Sequence, residues 1–300
     1  MLRTLLAAAG DGTTYDDAVG RMLAGLGARG EEEEAAAAAG RVHAALLGLS
    51  LVCAASSAPQ LGLLVRRAPQ ILAALVEAAC VVAPAMPTAA AADTARALSL
   101  QALTVLSTND QVKLQPSDGA ALLLAAGSVC AHLELRTAPP RAALPSAHAF
   151  GASYFLLVAL LRQRGRLVHS AAPLLLAAVR GLLHAVAHAP PAAPPAEHDG
   201  SLPLECVRNL RRLLELLAAH KKALVRHCSY VLADLLSVCR ERPLPAAAQR
   251  ELLPGIHAVL GICTEVEVQA VHAASDAARQ RVLKDLLESY ERSFKYQGKA

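Results

Sequence analysis

From Arg41 to the carboxy terminus, runs of alanine and leucine are cut at intervals by proline, glycine or a Ser-Asp pair. Alanine is the best helix former and leucine follows closely, whereas strands favour the β-branched and aromatic residues. The chain is 54% hydrophobic but only 3% aromatic, so its apolar content is the kind that builds helices. The fold class that follows is all-α. The punctuation predicts helices over 41–55, 69–83, 90–107, 117–134, 147–164, 167–189, 204–219, 221–240, 246–263 and 276–295. Breaks fall at Pro59, Pro84 and Pro87, Pro116, Pro139 and Pro140, Gly165, Pro243 and Pro245. Ser117 with Asp118, and Ser275 with Asp276, have the chemistry of N-caps.

The organisation expected along the chain has four parts. Residues 1–40 are a low-complexity segment, expected to be partly disordered, with glycines followed by four glutamates and five alanines. Residues 41–189 are a helical-repeat region. Residues 190–203 are a proline-rich loop or linker, because the prolines forbid continuous helix. Residues 204–300 form a carboxy-terminal helical domain. Antiparallel helices with short connections suggest an irregular α-solenoid of the armadillo or HEAT kind, since no fixed-period repeat is present.

A net charge of +4 permits contact with RNA or acidic partners without demanding it. The seven cysteines stand singly in apolar helical segments and no CxxC occurs, so they read as reduced, buried thiols. Two stretches, 42–65 and 142–161, carry no charged residue and reach the bilayer-crossing length of about 20 residues. Ser56, Ser57, Pro59, Gln60 and Gly62 interrupt the first, and Pro145 and Ser146 the second. Paired buried helices with a turn between them account for both better than membrane spans do.

Several motifs are present only in outline. Gly25, Gly27 and Gly30 spell GxGxxG, but no strand precedes them, and four glutamates follow where a pyrophosphate would bind. His184 and His188 lie one helical turn apart, yet the metalloprotease glutamate is missing and no further ligand is at hand. His227 beside Cys228 fares no better, because adjacent helix positions point about 100° apart. No GxSxG or P-loop occurs. Neither an enzymatic activity, a metal nor a cofactor is expected.

Arg208, Arg211, Arg212, Lys221, Lys222 and Arg226 cluster within two consecutive predicted helices. Val207, Leu210, Leu214 and Leu217 take the inward face there, which leaves the arginines largely outward. Such a patch can hold phosphates or an acidic protein surface, and an ordinary solvated face carries the same residues. In the last helix, Val282, Leu283, Leu286, Leu287, Tyr290 and Phe294 make one apolar stripe suited to capping a helical stack. The tail beyond it offers a further contact at Lys295, Tyr296 and Lys299.

Three blocks carry a family resemblance: FLLVALLRQRGRLVHSAAPLLLAAVRGLLHAV at 155–186, HKKALVRHCSYVLADLL at 220–236, and the segment 250–299 with LLPGIHAVLGIC and YERSFKYQGK. Over residues 146–300 the chain resembles the carboxy-terminal region of the unhealthy ribosome biogenesis protein two family, also called nucleolar pre-ribosomal-associated protein two. Members of that family are very long helical-repeat proteins. The resemblance implies a non-enzymatic scaffold in early nucleolar assembly of the large ribosomal subunit. It also implies partners: a larger helical-repeat protein, a DEAD-box helicase complex and precursor ribosomal RNA, with no membrane. The competing expectation is a generic armadillo- or HEAT-like adaptor outside the nucleolus.

Overall fold

The structure, a computed structural model, describes residues 12–27, 35–54, 58–133, 140–188, 202–241 and 244–296. Among these residues there are thirteen α-helices and no strand, as the alanine and leucine content dictates. In chain order they are α1 (Gly12–Gly27), α2 (Ala35–Cys53), α3 (Ala58–Glu77), α4 (Ala89–Thr108), α5 (Pro116–Ala131), α6 (Pro140–Gln163) and α7 (Gly165–Ser170). They continue as α8 (Ala172–His188), α9 (Leu202–Ala219), α10 (Lys221–Glu241), α11 (Ala246–Leu260), α12 (Glu265–Ala274) and α13 (Ala277–Tyr296). Two compact units result: residues 1–132 with 144–171, and residues 133–143 with 172–300. Of the proline-rich segment 190–203, only Leu202 and Pro203 are described, and they open α9.

Several boundaries differ from the punctuation. The helix expected to start at residue 69 starts at Ala58, because Pro59 sits in the first turn, where its missing N–H is not needed. The same helix runs through Pro69 and ends in a π-turn, Ala78–Val82, and a short 3₁₀ turn, Ala83–Ala85. Ser117 is not an N-cap. Gln115 caps α5, Pro116 takes the first helical position, and Asp118 accepts the Gln115 N–H at 2.7 Å. Thr88, unmarked by the punctuation, caps α4 by accepting the Ala91 N–H at 3.2 Å. Pro145 and Ser146 do not interrupt their stretch, since α6 is continuous from Pro140 to Gln163. The connector at 264–275 is a helix as well. Thr264 and Glu267 form a reciprocal capping box at its start, which is why an acidic segment can begin a helix there.

In the first unit α2 packs along α4 and α1 along α3, with α3 also meeting α5 and α5 meeting α7. Gly119 lets α5 approach α7 closely, for a Cβ there would lie 2.8 Å from the Leu167 Cβ. Arg164, at the α6–α7 bend, donates to three backbone carbonyls, that of Ser107 in the last turn of α4 at 3.0 Å and those of Asn109 and Val112 in the α4–α5 loop at 2.8 Å and 3.2 Å. Among the described residues one segment, Gln60–Ala85, is long and apolar enough to cross a membrane by length and composition. Its Ile71, Leu72, Leu75, Ala78, Ala79 and Ala83 are buried within the unit, while the greater part of its most apolar window is not.

In the second unit α10 is the hub and touches α8, α9, α11, α12 and α13. Its Leu224, Cys228, Val231, Leu232, Leu235, Leu236 and Val238 are buried, so one whole flank of the helix is core. Helices two apart in sequence pair repeatedly here too: α8 with α10, α9 with α11, α10 with α12 and α11 with α13. The final helix turns Leu283 and Leu286 inward. Tyr290 meets the His257 ring edge-on at 5.7 Å, and Ser293 Oγ lies 3.2 Å from His257 Nδ1, which ties α13 to α11.

Candidate nucleic-acid interface

The six basic residues of the predicted patch sit where the periodicity put them, on α9 and the first turns of α10, but the structure divides them. Arg208 and Arg211 are committed within the fold. Arg211 Nη1 lies 3.1 Å from Glu251 Oε1 on α11, Arg208 Nε lies 3.8 Å from Glu251 Oε2, and Arg211 Nε lies 3.6 Å from Glu215. These pairs lie on the α9–α11 contact, where Gly255 brings the helices together. A Cβ at Gly255 would stand 3.1 Å from both the Cα and the carbonyl oxygen of Arg211. Pro254 beside it faces outward, so its missing N–H falls on the solvent side. Gly255→Leu is therefore expected to destabilise the fold by about 1–3 kcal/mol through overpacking, measured as a lower urea midpoint at unchanged slope.

Arg212, Lys221, Lys222 and Arg226 are exposed, and no ion pair holds them among the described residues. Lys221 and Lys222 open α10, where the helix dipole is itself positive, so the local potential adds to theirs. The positive surface extends to α8, whose Arg180 is well exposed and lies 3.4 Å from Asp234 of α10. Burial pushes the Asp234 carboxyl above its ordinary range, against the pull of Arg180 and His184. Lys295 and Tyr296 belong to the last turn of α13, but their side chains, and Lys299 altogether, lie outside the described residues.

One exposed residue was not among the sequence candidates. Tyr230 of α10 is 64% exposed, and with Lys222 and Arg226 it completes a spacing of four residues, the signal that would have found it.

The remaining motifs find ordinary settings. Gly25 and Gly27 lie in α1, and Gly25 packs on Ala45, so the strand-and-turn context of a dinucleotide site is not there; Gly30 lies outside the described residues. His184 lies near Asp234, and the side chain of His188 is not described. Cys228 is buried and donates to the Leu224 carbonyl at 3.1 Å. All seven cysteines are free; Cys53, Cys130, Cys206 and Cys228 are buried and Cys80, Cys239 and Cys263 half-buried. Burial pushes the Cys53, Cys130, Cys206 and Cys228 thiols up to about 12 and Cys263 up to about 11, so none of these five is a ready nucleophile at neutral pH. Among the described residues no three His, Cys, Asp or Glu side chains gather as a metal site would.

The described residues define an all-helical protein that carries a group of exposed cations on α9 and α10. Residues 97–299 match the Urb2/Npa2 family, and with more than half of the chain matched the protein belongs to it. Membership of that family implies a role in ribosome biogenesis. No curated protein and no solved structure matches the chain.

Proposed function

We propose that the protein is a non-enzymatic scaffold in nucleolar assembly of the large ribosomal subunit and in processing of its precursor RNA. The family match over residues 97–299 is the observation that carries this reading. The recurrent pairing of helices two apart, α1 with α3, α2 with α4, α8 with α10 and α9 with α11, supports an irregular α-solenoid within each unit. Such a stack presents long helix faces to protein partners, here a large helical-repeat protein and a DEAD-box helicase complex. Arg212, Lys221, Lys222 and Arg226 supply the cations for precursor RNA, and no membrane is involved.

Two measurements test the proposal. Affinity purification of the tagged protein should enrich unprocessed large-subunit precursor RNA. Background RNA, with the tagged protein excluded from the nucleolus, would instead leave a generic helical adaptor. Where RNA is bound directly, replacing Arg212, Lys221, Lys222 and Arg226 by glutamine should make the slope of log K against log salt shallower by about 2.8. Arg208 and Arg211 are left intact in that variant because their loss would strand Glu251.

A further inference from the structure

We infer that the outward stripe of α10 formed by Lys222, Arg226 and Tyr230 is a binding site for single-stranded RNA, with one base stacked on the Tyr230 ring and adjacent phosphates on the two cations. The inference rests on the RNA-contact part of the function proposed above and assigns it to a place.

Helix geometry sets the arrangement. At about 100° per residue, Lys222, Arg226 and Tyr230 fall within an arc of about 80°, on the side of α10 opposite its buried flank. They extend about 12 Å along the axis, which matches three to four nucleotides at about 3.4 Å each along a stacked strand. Of the positions next to Tyr230 on the helix, Ser229 and Ala233 carry small side chains, Arg226, His227 and Asp234 supply the charged and titratable ones, and the ring itself stays mostly exposed to an incoming base.

The charged and titratable groups facing the stripe favour an anion. Arg226 lies one turn before Tyr230, with half-buried His227 beside it. One turn beyond, Asp234 is partly buried and engaged by Arg180 at 3.4 Å. That pairing offsets the nearest negative charge and leaves Arg180 itself at the edge of the stripe.

The occupant follows from what the face lacks. Tyr230 is the one large apolar side chain exposed on α10, too little apolar surface to seat a partner helix. A lone ring among cations suits a polyanion with π-faces. A duplex keeps its bases stacked internally, so only an unpaired strand can use the ring.

The test is equilibrium binding of the full chain to a short, unstructured RNA of mixed sequence across a salt series. Tyr230→Ala should weaken binding about ten-fold while Tyr230→Phe retains it, since stacking needs the ring and not the hydroxyl. Lys222→Ala with Arg226→Ala should make the log K–log salt slope shallower by about 1.4. Circular dichroism of each variant should match the parent, because all three side chains are exposed. Wild-type affinity in Tyr230→Ala would overturn the α10 site and leave the RNA-contact reading standing. A preference for duplex would overturn the stacking geometry. No RNA binding by the parent chain, with capture of an acidic protein instead, would overturn both this site and the direct RNA contact, while a scaffold role through protein partners would stand.

Discussion

Replacing Arg96 by methionine lowers the stability of the first unit by about 3–5 kcal/mol. Arg96 and Asp93 are both more than nine-tenths buried on α4, and their side chains meet at 2.8 Å. Ser146 of α6 donates to the other Asp93 oxygen, so the carboxylate joins two helices. Removing the guanidinium leaves a charged carboxylate in an apolar interior with one hydroxyl to satisfy it, and desolvation of that charge dominates the loss. The informative control is the double change Asp93→Leu with Arg96→Met. Replacing a buried pair by apolar residues of similar size is often neutral, so it should recover most of the stability. Urea denaturation reads both variants. A single variant within about 0.5 kcal/mol of the parent would mean that the pair plays no part in joining α4 to α6.

Leu235→Ala is expected to cost about 2–5 kcal/mol, because the side chain is fully buried on the helix that touches every other helix of the second unit. The lost contacts and the cavity left behind act together, and α10 has neighbours on several sides that cannot all collapse inward. The same helix carries Tyr230, whose truncation to alanine should change stability by no more than about 0.5 kcal/mol, since it is mostly exposed. The pair of variants separates the two roles of α10. Leu235→Ala lowers the thermal midpoint and leaves RNA affinity intact well below it; Tyr230→Ala does the reverse. Equal stability losses from both would show that the outer face of α10 is structural.

The sequence by itself determined the helical class, the inward face of α9 and part of that of α13, and the family. Alanine and leucine content settles the class because it acts locally, residue by residue, and periodicity settles the faces because a helix repeats every 3.6 residues whatever surrounds it. It also located the capping role of Asp276, which accepts the N–H groups of Ala278 and Arg279 at 3.1 and 2.9 Å. Boundaries were less legible where a residue acts through position. Pro59 and Pro116 stop a helix or start one according to the turn they occupy, and composition does not say which. The acidic segment before α13 is a helix because Thr264 and Glu267 cap each other, a pairing that shows only once both lie on one turn.

What only the tertiary structure decided is the fate of the charges. Six cations read alike in the sequence. Packing of α9 on α11, set by the bare backbone of Gly255, delivers Glu251 to Arg208 and Arg211 and pairs those two within the fold, although both stay partly exposed. Arg212, Lys221, Lys222 and Arg226 stay outward, with no ion pair to them among the described residues, and Tyr230 joins them because α10 spends its opposite flank on the core. Whether a charge is free depends on partners distant in sequence, and those are brought near only when the helices pack.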